Sequence, residues 1–390
     1  MYSENFDLKS QNRVSVLMID DQAIFGEVIK KILSVDDNTE FHFCQNPLEA
    51  IKLAEEIKPT VILQDLMMPE IDGLELVAQF RANELTKNIP MIVLSSTEDA
   101  TTKYQAFLKG ANDYMVKLPD KLEILARIKY HSQAYVNFYQ KNKALELLKK
   151  SQEALKAELL QAESYVESLL PEKLDNEHIS CDWVYQSSTM LGGDCFGYHF
   201  LDDDNFAMYL VDVCGHGVGA ALLSVSAMNV LRSQSLSQVD FKEPKQVLKA
   251  MSLAFDMDRQ NGMFFTAWYG VFNTKTRTLK YSTGGHPPAI LKNGDKLDFL
   301  STNGLVVGGD IDFEYKQAEI CIEKNSSLYI FSDGVYEVEY ANSTKMMSVE
   351  DFANIISESD SCLAIKEKIQ NIQAKEIFED DFSLCKIFIK

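Results

Sequence analysis

At 390 residues, 46% hydrophobic and with a formal charge of −20, the chain is long enough for two or three domains with cores of their own. That charge repels nucleic-acid backbones and favours cations or basic partners, so no nucleic-acid partner is expected. No apolar run reaches membrane-spanning length, the N-terminal thirteen residues lack a signal peptide's apolar core, and the seven cysteines form no Cys-x-x-Cys pair; a cytoplasmic chain with reduced thiols and no membrane partner is expected.

Residues 13–118 read as an α/β doubly wound domain. Five short apolar runs, Val14 to Ile19, Phe41 to Cys44, Val61 to Gln64, Met91 to Leu94 and Asp113 to Val116, alternate with helical periodicity. This predicts a five-stranded parallel sheet with helices on both faces. Ligands of such sheets bind at the carboxyl ends of the strands. Here those ends carry Asp20 and Asp21, then Asp65, then Ser95 and Ser96, then Lys117. Three acids together call for a divalent cation, and all-oxygen ligation favours Mg²⁺. The stretch from Asp65 to Gly73, DLMMPEIDG, then resembles the D-x-x-M-P-x-x-D-G loop of response regulator receiver domains. The resemblance implies that Asp65 is the phosphoacceptor for a sensor histidine kinase. It also implies that Asp20, Asp21, Asp65 and the Met67 carbonyl hold Mg²⁺, and that Ser95, Tyr114 and Lys117 form the switch. One departure is Lys117-Leu118-Pro119, where most receivers have Lys-Pro directly, which puts the usual cis-proline turn in doubt.

Residues 119–170 form the expected connector, with neither glycine nor proline from Asp120 to Leu170. Leu145, Leu148, Gln152, Leu155, Leu159, Ala162, Val166 and Leu169 recur at alternating spacings of three and four. A narrow seam flanked by Lys and Glu predicts a parallel coiled-coil homodimer rather than a surface helix. Leu170-Pro171 ends it, because proline disfavours helical geometry in the residue before it.

Residues 171–390 are dominated by strand signals, with helical patterns at Val218 to Leu231, Pro244 to Asp256, Val349 to Ser357 and Cys362 to Ala374, predicting an α+β sandwich. Phe206 to Asp212 reads as a strand that runs into a Gly-rich turn, Cys214 to Gly217, and then a small-residue helix. Acids gather at strand edges: Asp194, Asp212, Asp333 and the Asp380-Asp381 pair. Four such sites without paired His or Cys describe a hard-cation centre with room for two ions, which can hold a hydroxide in line with a phosphate ester.

The pieces LLP (169–171), LGGD (191–194), DVCGHG (212–217), GGHPP (284–288), SDGV (332–335) with Glu337, and DDFS (380–383) resemble metal-dependent protein phosphatases of the PPM type, in the SpoIIE branch. The resemblance implies a serine/threonine phosphatase with two Mn²⁺ or Mg²⁺ ions held by the catalytic acids Asp194, Asp212, Asp333 and Asp380 and the Val213 carbonyl, Asp381 being the lesser of its pair. Its implied substrate is a phosphorylated STAS-domain anti-anti-sigma factor. Gly197 stands where many members carry a second Asp, while His216 and His286 are read as shaping their turns. Gly192 to Phe196 approaches the Gly-Gly-Asp-Glu-Phe signature of diguanylate cyclases but lacks its Glu, and a catalytically weak phosphatase-fold adaptor would be expected to have lost metal-site acids.

Overall fold

Near-continuous apolar runs give the central strands of the first domain two buried faces, and helices are needed to cover both. The computed structural model describes residues 13–390 apart from 118, 311, 342, 374 and 376. The signal-peptide reading and the Leu118-Pro119 step therefore lie outside the described residues, as does the expected helix end at Ala374. Two compact units divide between Glu153 and Ala154.

The first unit runs β1 (Val14–Ile19), α1 (Ala23–Leu33), β2 (Thr39–Cys44), α2 (Ala50–Ile57), β3 (Val61–Asp65), α3 (Gly73–Ala82), β4 (Met91–Ser95), α4 (Ala100–Lys109), β5 (Asp113–Val116) and the start of α5 (Lys121–Ser168). The strands pair in parallel in the order β2-β1-β3-β4-β5, as the α/β alternation requires. Leu17, Ile19 and Ile62 pack on one face, and Val16, Met18 and Leu63 on the other. Helix α5 starts where Asp120 Oδ1 accepts the Leu122 N–H at 2.8 Å, and docks by Ile124, Ile128, Ser132 and Val136, one residue per turn. Further along, Leu145, Leu148 and Leu155 are 53%, 55% and 57% exposed.

The second unit contains β6 (Ile179–Gln186), β7 (Asp194–Phe200), β8 (Asn205–Val213), α6 (Val218–Ser233), α7 (Pro244–Ala254), β9 (Phe265–Asn273), β10 (Thr278–Gly284), β11 (Ala289–Asn293), β12 (Lys296–Leu300), β13 (Ala318–Cys321), β14 (Ser326–Phe331), α8 (Val349–Glu358), α9 (Cys362–Gln373) and β15 (Phe382–Ile389). Two sheets form, β13-β10-β9-β8-β7 and β12-β11-β14-β15-β6, and all their pairings are antiparallel. Phe196, Leu210 and Trp268 of the first meet Leu328, Ile330 and Ile387 of the second in the central core. Helices α6 and α7 cover the outer face of one sheet through Met228 and Leu248. Helices α8 and α9 cover the other through Phe352 and Ile365.

Two strands were not expected. In β7 the first five residues are buried, and Gly197 interrupts the alternation a half-exposed strand would show. Strand β12 follows the Gly294 turn, whose φ of 58° suits glycine, and at five residues with only Leu300 buried it carries a short signal.

Candidate functional site

In the first unit the strand ends meet as expected. Asp20, Asp21 and Asp65 each present an oxygen within 4.8 Å of the other two, the one such acidic cluster among the described residues. Lys117 Nζ lies 2.8 Å from Asp65 Oδ2 and 3.1 Å from Asp20 Oδ2. Asp65 Oδ1 and Asp21 Oδ1 are buried without a hydrogen-bond partner, which is the state a cation would relieve. Burial pushes the Asp20 carboxyl up, against the Gln22 N–H and the Lys117 ammonium, which pull it down. Ser95 ends β4, 3% exposed, and Tyr114 is turned inward with its hydroxyl donating to the Thr97 carbonyl at 2.6 Å. Met67 protrudes, 73% exposed, in the loop after Asp65. That loop is tight at Gly73, where a Cβ would stand 2.6 Å from the Asp65 carbonyl oxygen.

In the second unit, antiparallel register sets Asp194, the first residue of β7, directly opposite Asp212 on β8. Like charges facing each other across a ladder are destabilising, so the pairing needs an external compensation. Asp333 opens the short helical turn after β14, and Asp380 stands just before β15, its Oδ1 accepting the Asp381 N–H at 2.8 Å. No three of these acids come as close together as the first unit's trio, but they are linked through Asp212, which feels Asp333 and Asp380 and in turn raises Asp194. Burial, then Asp212 and Asp381, push the Asp194 carboxyl well up. Burial, then Asp333, Asp380 and Asp381, push Asp212 up to about 7. Asp333 is pushed up to about 6 by burial, then Asp380 and Glu337. Asp380 stands at the solvent-facing edge, where partial burial of its carboxyl raises it, opposed by the Asp381 N–H and aided by the Asp381 charge. The four carboxylates thus share one electrostatic pocket, and the buried Asp194 Oδ2 has no hydrogen-bond partner. Such a donor set fits divalent cations.

Asp381 behaves differently from its neighbour. It is 5% exposed, and its carboxylate accepts the Ser188 N–H (2.8 Å), the Ser188 hydroxyl (3.0 Å), the Gly193 N–H (2.6 Å) and the Asp194 N–H (3.4 Å). It is a strut tying the loop before β7 to the start of β15. The glycines of this region act in two ways. Gly215 and Gly217 hold φ of 88° and 90° with open space around them. Gly193 instead allows a close approach, a Cβ there standing 2.7 Å from the Val213 carbonyl oxygen.

The two histidines diverge. His286 is buried between Thr266 Oγ1 (2.7 Å) and the Phe331 carbonyl oxygen (3.1 Å), and burial drives its proton affinity down to about 3. His216 is exposed and makes no hydrogen bond among the described residues, so the turn it was expected to brace is held by backbone contacts, Gly217 N–H to the Leu191 carbonyl and Cys214 N–H to the Phe264 carbonyl.

Two family models match in the same order. Residues 16–129 match the response regulator receiver domain, and residues 202–390 match stage II sporulation protein E (SpoIIE). The chain joins a receiver domain to a SpoIIE-type domain. It is 28% identical over 237 residues to the phosphoserine phosphatase RsbU of Bacillus subtilis, covering 60% of this chain and 68% of that protein. Against the phosphoserine phosphatase RsbP of the same organism it is 27% identical over 186 residues, 47% of this chain and 46% of the relative. The SiaA-PP2C domain of Pseudomonas aeruginosa superposes with a TM-score of 0.54 at 17% identity, covering 62% of this chain and 99% of that one, which places the second unit in the PP2C fold. The receiver's five-stranded parallel sheet and the SpoIIE-type domain's antiparallel sheets agree with the architecture expected from the sequence. No described helix is long and apolar enough to cross a membrane.

Proposed function

We propose that this chain is a cytoplasmic response regulator whose output is metal-dependent dephosphorylation of phosphoserine or phosphothreonine on a protein. The observation that carries the reading is the four-acid pocket of the second unit, in which Asp194 faces Asp212 across the β7–β8 ladder, Asp333 and Asp380 act on Asp212, and burial raises every carboxyl group. Asp194, Asp212, Asp333, Asp380 and the Val213 carbonyl would hold two Mn²⁺ or Mg²⁺ ions. When bound, such ions lower the proton affinity of water and neutralise a phosphoryl group. The chain's own part is to keep those oxygens facing one another, through the β7–β8 register, and to hold the loop before β7 through Asp381. The proposed substrate is a phosphorylated STAS-domain anti-anti-sigma factor, supported by the likeness to two phosphoserine phosphatases.

On the input side, Asp65 would take a phosphoryl group from a sensor histidine kinase. Asp20, Asp21, Asp65 and the Met67 carbonyl would hold Mg²⁺, and Lys117 would pair with the phosphoryl oxygens. The proposed division is receiver 13–118, coiled-coil connector 119–170 and phosphatase 171–390, with a parallel homodimer along the exposed Leu145, Leu148 and Leu155 stripe. Retention of all four acids weighs against a catalytically weak adaptor. The test is Mn²⁺-dependent hydrolysis of p-nitrophenyl phosphate by the full chain, with Asp65 phosphorylated and unphosphorylated. Activity lost in Asp212→Ala is expected; activity that persists in that variant would overturn the site.

A further inference from the structure

A cavity of about 340 Å³, at the small end of ligand-pocket sizes, lies in the SpoIIE-type domain away from the four acids. It is bounded by the end of the long helix (Leu169, Pro171), by β7 and β8, and by Met228 and Arg232 on α6. Its wall is mainly apolar, but three polar groups in it are unused. Both ring nitrogens of His199 are buried without a partner. Tyr209 is 1% exposed and its hydroxyl bonds to no described protein group; it is packed so closely against Gly197 that a Cβ there would stand closer to it than any ordinary contact. Arg232 forms no ion pair among the described residues. By contrast, the Tyr198 hydroxyl in the same wall is engaged, donating to the Glu172 carbonyl at 2.7 Å.

Leaving buried hydrogen-bonding atoms unmatched is costly, and a cationic side chain beside them sets the sign of what would match them. Burial, and then the Arg232 charge, lower the proton affinity of His199, so near neutral pH the ring offers one donor and one acceptor. Glu172 also borders the cavity, but as an exposed residue at its rim.

We propose that this cavity binds a small organic carboxylate with an apolar body, its carboxylate on Arg232, His199 and Tyr209 and its body against Leu169, Phe206 and Met228. The position makes it an effector site. Tyr209 lies three residues before Asp212 on β8, His199 is on the strand that begins with Asp194, and Arg232 is on the helix after the Gly-rich turn. This coupling rests on the phosphatase reading; the binding does not.

The test is calorimetric titration of the full chain with octanoate and, as a probe of reversed charge, octylamine. Octanoate should bind at millimolar or lower concentration, and Arg232→Gln, a change at an exposed position, should weaken it about tenfold or more. Tyr209→Phe should weaken it by a smaller factor. No octanoate binding at about 10 mM, equal binding in Arg232→Gln, or preference for the amine would overturn the site. Added octanoate should also change p-nitrophenyl phosphate turnover in the wild type and not in Arg232→Gln; unchanged turnover, with binding intact, would overturn the coupling alone.

Discussion

Replacing Asp381 by Ala separates the strut from the pocket beside it. The carboxylate accepts three hydrogen bonds of 3.0 Å or less, from Ser188 twice and Gly193 once, in a residue 5% exposed. A bond to a charged group is worth about 1.5 kcal/mol at the low end, and removing the acceptor leaves buried donors unmatched. Three such bonds come to about 4–5 kcal/mol. Relief of the repulsion that Asp381 exerts on Asp194 and Asp212 opposes this, so the net loss should sit near the low end for breaking a buried charged interaction, about 3 kcal/mol. For a domain of this size that lowers the melting temperature by roughly 6–12 °C. Asp380→Ala removes a carboxylate at the solvent-facing edge of the pocket that is hydrogen-bonded to the next residue's N–H, and it also removes repulsion from Asp212 and Asp333. Its metal-free stability should therefore change by less than about 1 kcal/mol. Calorimetry of the full chain in chelator, following the SpoIIE-type domain's transition, measures both. If Asp381→Ala melts within about 2 °C of wild type, or Asp380→Ala falls as far as Asp381→Ala, the division between strut and pocket acid is wrong.

Because folding raises the Asp212 and Asp333 carboxyls to about 7 and about 6, the native state holds protons that the unfolded chain has released. Their contribution is full below the ordinary carboxylate range and is lost as pH rises through those values, so metal-free protein should melt lower at pH 8 than at pH 5. Mn²⁺ should restore more at pH 8; a metal-free melting temperature that rises over that interval would contradict this. Gly73→Ala places a methyl 2.6 Å from the Asp65 carbonyl oxygen and from Leu66 Cα, both backbone atoms that yield poorly. It should cost the receiver about 1–3 kcal/mol in denaturant unfolding and slow the labelling of Asp65 by acetyl phosphate. Leu148→Glu combined with Leu155→Glu should convert a dimer to a monomer by light scattering, and a monomeric wild type at micromolar concentration would refute the seam.

The receiver was legible because its chemistry sits at strand ends. Once Val14 to Ile19, Val61 to Gln64 and Met91 to Leu94 are read as parallel strands, Asp20, Asp65 and Ser95 have nowhere else to go. The SpoIIE-type domain was less transparent. Asp194 was readable as an acid beside glycines, yet β7 was not readable as a strand, because burial on both faces and Gly197 erase the alternation. The direct pairing of Asp194 with Asp212 follows from that strand and could not be seen without it. The difference between Asp380 and Asp381 likewise depends on contacts with Ser188 and Gly193, nearly two hundred residues away, which no local pattern encodes. His199 looks unremarkable in sequence, since having both ring nitrogens buried without a partner is a property of the folded surroundings alone.

The most direct measurement is phosphate release from a serine-phosphorylated STAS-domain protein of the same genome. It would be followed with Mn²⁺ present or chelated and with Asp65 phosphorylated or not. The four-acid pocket predicts turnover by the wild type that needs the metal and disappears in Asp194→Ala and in Asp212→Ala. Equal turnover in those variants, or none by the wild type in either state of Asp65, would contradict it.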